Sequence, residues 1–298
     1  MQGLLEDLQN DFRGEILSQE SMSAHTSWKL GGPAELFLVP ETQADLQRAL
    51  RCLRLRKLPW VAIGNGSNLL VSDQGVRGVV IQLGRLTKLD FLPNGKVEVE
   101  AGVQLGQLIK ACCRKGLGGL ENLSGIPGMV GGAILTNAGA LETEIGDLVS
   151  QVFLTDGLGE WALRRDQVGF SYRHSGLDGK GVISGTLLQL HETDPAELEE
   201  RYLKVLARRK EVQKVSGAHA GSVFKNPVGE SAWKLIDQAG LRGRRIGEAE
   251  VSYEHCNHIV NLGGAQSADV LALIEEVIQA VLQTSGKLLE LEVRLLGW

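Results

Sequence analysis

Hydrophobic side chains recur at three- and four-residue spacing in several segments, and this spacing predicts helices there. In the second of these segments, Thr42 and Asp45 are placed to form a capping box. Pro195 stands at a first helical position, which proline favours. The predicted helices are 1–20 (an amphipathic leader), 42–57, 105–112, 195–210, 231–239 and 267–284.

Short hydrophobic or alternating runs predict strands between these helices. Because the strands follow one another in pairs more often than they alternate with helices, we expect an α+β fold with mixed or antiparallel sheets. In the last strand, Leu289, Leu291, Val293 and Leu295 should face inward, and Glu290, Glu292 and Arg294 outward. The predicted strands are 35–39, 60–63, 78–83, 96–101, 151–155, 181–190, 257–261 and 288–296.

The composition is that of an ordinary globular protein, with 43% hydrophobic and 22% charged residues. A length of 298 residues is typical of about two domains, and a change in composition places a boundary near residue 200. The net charge is −5, from 31 basic and 36 acidic residues. This balance argues against nucleic-acid binding, which needs a basic face.

Cysteine usage and hydropathy limit the class of protein further. The four cysteines are Cys52, Cys112, Cys113 and Cys256, and no Cys-x-x-Cys spacing occurs among them. The absence of that spacing argues against a zinc site, and the positions of the four cysteines argue against a secreted disulfide framework. We therefore predict no metal site. The first residues lack the apolar core of a signal peptide, and no run of 18 apolar residues exists. We therefore predict a cytoplasmic protein without membrane insertion.

Glycine is the unusual residue, at 38 of 298. Gly64-Asn-Gly66 follows a predicted strand, but Leu69 stands where a dinucleotide-binding loop has its third glycine, and strand–turn–strand is expected to follow. This loop is either an anion-binding nest or an ordinary tight turn. The segment Ser124–Gly132 contains Gly-x-Pro-Gly and Gly-Gly, which indicates close backbone approach either to a ligand or to the protein itself.

Three further segments carry polar residues that could take part in chemistry. Arg173 and His174 share a predicted turn, where a salt bridge or a structural histidine would explain them. Ser222 follows a glycine without the Gly-x-Ser-x-Gly of a nucleophile elbow, so a turn residue is the simpler interpretation. Glu292 lies on the polar face of the last strand, where exposure to solvent would explain it.

Taken together, these segments resemble one family, UDP-N-acetylenolpyruvoylglucosamine reductase, also called UDP-N-acetylmuramate dehydrogenase. The resemblance covers about Thr26 to Gly297 and is closest to the shorter subtype, which lacks an extra substrate-covering loop. Each segment alone is weak evidence, but seven in the expected order are specific. They are Thr26–Ala34, Gly64–Val71, Gly119–Gly128, Asn137–Gly139, Tyr172–Arg173, Ala220–Pro227 and Leu289–Gly297.

The resemblance implies a vanillyl-alcohol-oxidase-like FAD-binding fold of two subdomains with a C-terminal α+β domain for the substrate. The implied organisation is a helical leader at 1–20, an FAD-binding domain at 21–200, a substrate-binding domain at 201–285, and a last strand at 286–298 that returns to the FAD domain. Residues 64–73 contain neither His nor Cys. The FAD is therefore expected to be bound non-covalently, without the tether of some relatives of this fold.

The resemblance also assigns the cofactor-binding positions. The first glycine loop would hold the pyrophosphate, and the second glycine-rich segment would line the flavin. The implied positions are Gly64, Asn65, Gly66, Ser67, Asn68, Leu69, Ser124, Gly125, Ile126, Pro127, Gly128, Val130, Gly131, Gly132, Asn137, Ala138 and Gly139.

The implied reaction has two halves. NADPH, as co-substrate, reduces the flavin, and flavin N5 then delivers hydride to the enolpyruvyl group of a UDP-N-acetylglucosamine ether. By position, Ser222 is the proton donor, and Arg173 and Glu292 stabilise the enolate-like charge. Substrate contacts are expected at Tyr172, Lys225, Asn226, His255 and Lys210, with Arg208 and Arg209 beside Lys210 also able to meet the diphosphate.

The sequence departs from the family pattern in three places, and two other classes of protein stay open. Gln213-Lys214 replaces a usual Gln-Pro, a proline is missing near Gly217, and His258 stands where phenylalanine is usual. The alternatives are another FAD oxidoreductase of this fold, such as a sugar or lactone oxidase, and a non-catalytic nucleotide-sugar binding protein. No obligate protein partner is expected.

Overall fold

The computed structural model describes residues 2–9, 11–212 and 214–298. Met1 and Asn10 of the predicted leader, and Gln213 with its departure from the family pattern, lie outside the described residues. The helices in the described part are α1 Gln2–Gln9, α2 Gln43–Leu55, α3 Leu105–Arg114, α4 Val130–Leu135, α5 Arg165–Val168, α6 Pro195–Val212, α7 Ala232–Gln238 and α8 Ser267–Ser285.

The strands are short and numerous, as the paired pattern predicted. They are β1 Glu15–Ser21, β2 Pro33–Val39, β3 Trp60–Ile63, β4 Leu69–Val71, β5 Val76–Gln82, β6 Leu89–Leu92, β7 Lys96–Glu100, β8 Leu117–Gly118, β9 Gly139–Ala140, β10 Thr143–Glu144, β11 Val149–Thr155, β12 Glu160–Arg164, β13 Val182–Gln189, β14 His191–Glu192, β15 Arg245–Ile246, β16 Ala249–Val251, β17 Ile259–Asn261 and β18 Arg294–Leu296.

The chain divides into two compact units, each assembled from three separated stretches. The first contains residues 1–17, 36–64 and 78–209, and the second contains residues 18–35, 65–77 and 210–298. The predicted functional domains, with edges at residues 20, 200 and 285, stay a prediction.

The first unit is built around a five-stranded antiparallel sheet in the order β12–β11–β13–β7–β6. The register pairs Val152 with Thr186 and Thr186 with Val99, so these residues point to one face of the sheet. That face is buried with helices α2 and α3 in one hydrophobic core. Strands β3 and β5 of this unit form a parallel pair.

Helix α2 of the first unit begins where the sequence predicted. The Thr42 hydroxyl accepts from the Asp45 N–H at 3.2 Å, and the Asp45 carboxylate accepts from the Thr42 N–H at 3.0 Å. This capping box satisfies two N–H groups that would otherwise lack partners at the helix start. The confirmed cap sets Leu46, Leu50 and Leu53 against the core, where all are fully buried.

The second unit packs helices α7 and α8 with the antiparallel strands β15–β16–β17, around a separate hydrophobic core. Trp28 is fully buried in this core, and its indole N–H donates to the Ile259 carbonyl at 2.7 Å. The buried Asn261 amide donates to the Trp28 carbonyl at 3.0 Å, so a buried polar pair closes the contact. Strand β18 runs parallel to β4.

The predicted leader helix is wrong beyond Gln9. Helix α1 does bury Leu4 and Leu8, as the spacing indicated. Residues from Glu15 onward instead form β1, which is an edge strand beside β2. Gly14 passes so close to the Val39 carbonyl oxygen that a Cβ atom would overlap it, and this approach brings the chain to the sheet.

The predicted last strand is also shorter than expected. Only Arg294–Leu296 pairs as a strand, while Leu291 makes an isolated bridge to Phe224. Leu289 and Val293 are buried as expected, but Leu295 is 40% exposed. The alternation therefore fails at the point where the segment changes partner from Phe224 to β4.

Two further differences concern segments whose pattern is weak. Strands β6, β12 and β16 were missed, because each is only three to five residues long. The glycine-rich region also contains the six-residue helix α4, which was not among the predicted helices. No helix in the described ranges has the length and hydropathy needed to cross a membrane.

Candidate active site

The loop 64–69 is a tight turn that leads into β4. Gly66 has φ +60°, and a Cβ atom there would overlap the His25 carbonyl oxygen. Its own carbonyl accepts from the Ser27 N–H at 3.2 Å. Strand–turn–strand follows as predicted, so the loop has no helix dipole behind it, and its backbone N–H groups would have to supply donors to an anion without that dipole.

The second glycine-rich segment owes most of its glycines to its own chain. Gly125 and Gly128 have positive φ angles, and a Cβ atom on Gly131 would lie 2.9 Å from the Ala101 Cβ. Gly132 differs, because it is exposed and a Cβ there would meet no protein atom within 4 Å. Open space beside backbone is therefore found at Gly132, where a flat ligand could approach.

Two buried polar side chains flank this segment. The Ser124 hydroxyl is fully buried without a hydrogen-bond partner among the described residues. The Asn137 side chain accepts from the Gly146 N–H at 3.0 Å and donates to the Ser171 carbonyl at 2.9 Å. Asn137 thus fixes the turn that contains Arg173.

Arg173 is held in a strained turn. Ser171 and His174 exchange two backbone hydrogen bonds of 3.0 Å, and Arg173 between them has φ +53°. Its guanidinium donates to the Gly139 carbonyl at 2.8 Å and lies 5.0 Å from the centre of the Tyr172 ring, which is half exposed. A left-handed arginine is uncommon, and such strain is characteristic of functional sites.

Arg209 belongs to the same neighbourhood of the first unit. A Cβ atom on Gly125 would lie 2.7 Å from the Arg209 Cδ. Burial, and then the positive charge of Arg173, hold the pKa of Arg209 below its usual value. Two guanidinium groups near a glycine-rich backbone favour an anionic ligand. Arg208 and Lys210, on either side, are exposed.

Ser222 lies in the second unit, immediately before a clamped segment. The Asn257 carbonyl accepts from the Val223 N–H at 2.8 Å, and its side chain exchanges hydrogen bonds of 2.9 and 2.8 Å with the Phe224 backbone. Ser222 itself is half-buried and follows Gly221, which has φ +75°. The hydroxyl is therefore presented at the edge of a fixed backbone.

Glu292 joins the serine segment to the first glycine loop. Its N–H donates to the Val223 carbonyl at 2.8 Å, and its own carbonyl accepts from the Asn68 side chain at 2.9 Å. The Asn68 carbonyl in turn accepts from the Arg294 N–H at 2.9 Å. The structure thus brings Ser222, Glu292 and the loop together within the second unit, whereas Arg173 belongs to the first.

The predicted substrate contacts occupy varied positions. Lys225 pairs with Glu290 at 3.4 Å, and the Asn226 side chain accepts from the Ala232 N–H at 2.9 Å, at the start of α7. The half-buried His255 contacts His258 and Trp233. Of these positions, Asn226 also has a clear structural task at the start of α7, and all three stay predictions as substrate contacts.

Comparison with known proteins decides the family. The model of the UDP-N-acetylenolpyruvoylglucosamine reductase C-terminal domain matches residues 213–296. The reductase of Pelobacter propionicus is 43% identical over 96% of this chain and 97% of its own length. That of Heliobacterium modesticaldum is 44% identical over 96% of this chain and 92% of its own. The chain belongs to the UDP-N-acetylenolpyruvoylglucosamine reductase family.

Solved structures agree with this family and its fold. The reductase of Thermus caldophilus has 37% identity and a TM-score of 0.81, over 96% of this chain and 100% of that one. An alkyldihydroxyacetonephosphate synthase has a TM-score of 0.51 at 17% identity, over 64% of this chain and 41% of that one, which shows a shared fold. The FAD-binding domain model matches residues 34–162, and the predicted FAD-binding α+β fold is confirmed.

The residues present fit FAD. The exposed backbone at Gly132 leaves room for a ring system, the Ser124 hydroxyl has no hydrogen-bond partner among the described residues, and Arg173 and Arg209 supply positive charge. Arg209 was expected only as a neighbour of Lys210 that could meet the diphosphate, His258 was noted only as a departure from the family pattern, and His219 was not predicted as a site residue. A run of three basic residues does not reveal which one turns inward, since all three share helix α6.

Proposed function

We propose that this chain reduces the enolpyruvyl ether of UDP-N-acetylglucosamine to UDP-N-acetylmuramate with NADPH. The observation that carries the proposal is the backbone of Glu292, which bonds the Ser222 segment on one side and the Asn68 loop on the other. The segment of the proposed proton donor Ser222, the residue Glu292 and the proposed nucleotide-binding loop are thereby joined by backbone hydrogen bonds at Glu292. This reaction supplies precursors for peptidoglycan. We propose that it takes place in the cytoplasm and that it contributes to cell shape and cell division.

FAD, when bound, carries hydride from NADPH to the methylene carbon of the enolpyruvyl group. The first glycine loop, 64–69, would hold its pyrophosphate, and the backbone around Gly132 would face its ring system. Because residues 64–73 offer no His or Cys for a tether, denaturation is expected to release all the flavin into the supernatant. Flavin that stays with the precipitated protein would contradict non-covalent binding.

Hydride addition places negative charge on the neighbouring carbon and its carboxylate. Arg173 can stabilise this charge, because its planar cation matches a carboxylate and is held in place by the Gly139 carbonyl. Glu292 can work beside the same charge only when it is protonated or shares a proton, since two anions at close range repel.

Ser222 completes the reaction by giving its proton to the alpha carbon. The hydrogen-bonded backbone at Val223 and Phe224 fixes the segment that carries the hydroxyl, and a general acid requires such a fixed support. The substrate is a nucleotide sugar, and its proposed contacts are Tyr172, Lys225, Asn226, His255 and Lys210. We propose neither a nucleic acid nor a protein as a further partner.

A spectroscopic titration tests the function directly. The purified protein is expected to show flavin absorbance that bleaches with anaerobic NADPH and returns when the enolpyruvyl substrate is added. Return with oxygen but not with that substrate would indicate an oxidase instead. Absence of bound flavin, even after FAD is added, would indicate a non-catalytic nucleotide-sugar binding protein.

A further inference from the structure

Three histidines form a continuous row in the second unit. The ring centres of His219 and His258 are 5.0 Å apart, and those of His258 and His255 are 4.5 Å apart, with each pair nearly perpendicular. The Nδ1 atoms of His255 and His258 are 2.9 Å apart and share a hydrogen bond. His258 is 3% exposed. Half of the six histidines of the sequence are thus gathered in one place.

One end of the row supports the backbone that leads to Ser222. The Gly221 N–H donates to the His219 Nδ1 at 3.0 Å. Gly221 has φ +75°, and this hydrogen bond helps to hold that turn. The middle of the row is joined to the same segment, because Asn257, next to His258, holds the Val223 and Phe224 backbone.

The hydrogen bonds restrict the protons that the row can carry. His219 Nδ1 accepts, so this nitrogen bears no proton while the Gly221 bond exists. The bond between His255 and His258 needs one Nδ1 with a proton and one without. That pair therefore keeps its bond with one positive charge but loses it with two.

The surroundings of the row both lower and raise the pKa values of its histidines. Burial lowers the pKa of His219, and Glu254 partly opposes this. Burial also lowers the pKa of His255, and Arg242 adds to the effect, although Asp237 pairs with Arg242 at 2.8 Å. The neighbouring Cys256 is neutral near pH 7, since burial raises its pKa to about 11. Lys234 lies over the Trp233 ring that touches His255.

We propose that His219, His258 and His255 are positioning residues that hold Ser222 in place while the row is uncharged, and that protonation of His219 in acid releases this turn. The inference rests on the proposed role of Ser222 as proton donor. His258 links the other two histidines, through its hydrogen bond to His255 and its ring contact with His219.

The test measures the two half-reactions separately, by stopped-flow absorbance of the flavin from pH 5 to 8.5. In the parent protein, the rate of flavin reoxidation by substrate should fall in acid with a midpoint below pH 6.5, whereas reduction by NADPH should not follow that midpoint. His219→Asn keeps an acceptor near the Nδ1 position but cannot become charged. It should reoxidise at nearly the parent rate at pH 8 and lose the acid decrease.

His219→Ala should reoxidise about fivefold more slowly than the parent at pH 8 and should lose the acid decrease, because its Gly221 N–H lacks the acceptor at every pH. His258→Phe should change the midpoint of the acid decrease, because the ring that packs 5.0 Å from His219 then loses its hydrogen bond to His255. The matched control is His191→Asn, an exposed histidine of β14 in the first unit, which should behave as the parent.

The outcomes separate this inference from the proposed function. An unchanged acid decrease in His219→Asn, or a parent rate in His219→Ala, would overturn the role of His219. An unchanged midpoint in His258→Phe would overturn the row. Failure of the proposed function would appear elsewhere, as normal substrate turnover by Ser222→Ala. A normal rate of NADPH reduction in each variant shows that it has folded.

Discussion

At the scale of single residues, the candidate site depends on backbone that is held in unfavourable or unusual conformations. Arg173 is left-handed, as is the buried Asn137 whose side chain fixes its turn. Each such conformation costs about 1–3 kcal/mol and persists only where the surroundings impose it. The strained turn at Arg173 holds its guanidinium in one direction, toward the Gly139 carbonyl.

Ser222→Ala tests the proton donor. NADPH should still bleach the flavin, because the serine has no part in that step. Reoxidation by the enolpyruvyl substrate should slow by about a hundredfold or more, the usual contribution of a general acid. Single-turnover absorbance measures both steps, and an unchanged reoxidation rate would remove Ser222 from this role.

Glu292 can be tested by comparing two substitutions. Glu292→Gln should keep measurable turnover if the residue works in its protonated form, because an amide can still donate a hydrogen bond. Glu292→Ala should lose it. Steady-state rates of the two variants give the answer, and equal losses would mean that a charged carboxylate is needed instead.

At the scale of elements, the sequence predicted a helix correctly where all the residues that determine it lie within one segment. Helix α2 was predicted from Thr42, Asp45 and the leucine spacing, all within one segment. The leader failed because its second half is determined by the strand beside it, and Gly14 gives no indication of the Val39 carbonyl that it must pass. When a strand is determined by a partner strand elsewhere in the sequence, its own residues need not show a periodic pattern that predicts it.

The cap of α2 allows a stability prediction. Thr42→Ala should lower the free energy of unfolding by about 1 kcal/mol, since the Asp45 N–H loses its side-chain acceptor. Urea denaturation measures this change. Thr87→Ala, at an exposed threonine of the same unit, is the control and should have almost no effect. Equal effects of both substitutions would contradict a role for the cap.

The glycines show why the site itself was only partly predictable. Ser222, Glu292 and Asn68 were identified through the family resemblance, and the structure does place their segments side by side. The protein's own chain requires the glycines at 125, 128 and 131, which was one of the two explanations left open by the sequence, and their place beside the flavin stays a prediction. A glycine looks the same in the sequence whether a ligand or the protein's own chain leaves no room for a Cβ atom.

At the scale of the whole molecule, buried histidines should make stability depend on pH. Burial holds the folded-state pKa of His219 and His255 below the unfolded value of about 6.5. The unfolded chain then binds more protons than the folded chain as the pH falls below that value, so the free energy of unfolding decreases.

Urea midpoints at pH 7.5 and pH 5.5 test this dependence. The midpoint should be lower at pH 5.5, and the difference should shrink in His219→Asn, which removes one of the two groups. The exposed His191→Asn should keep the full difference. A midpoint that stays constant, or rises in acid, would contradict the direction of both pKa shifts.

The hydrogen bonds of Glu292 also affect how the protein is made. Asn68, which donates to its carbonyl, lies 224 residues earlier in the chain. During translation, the glycine loop and the Val223 segment leave the ribosome well before the residue that joins them. This half of the site can therefore assemble only after residue 292 emerges from the exit tunnel, and nascent chains that stall before that point would lack the support on which Ser222 and the loop meet.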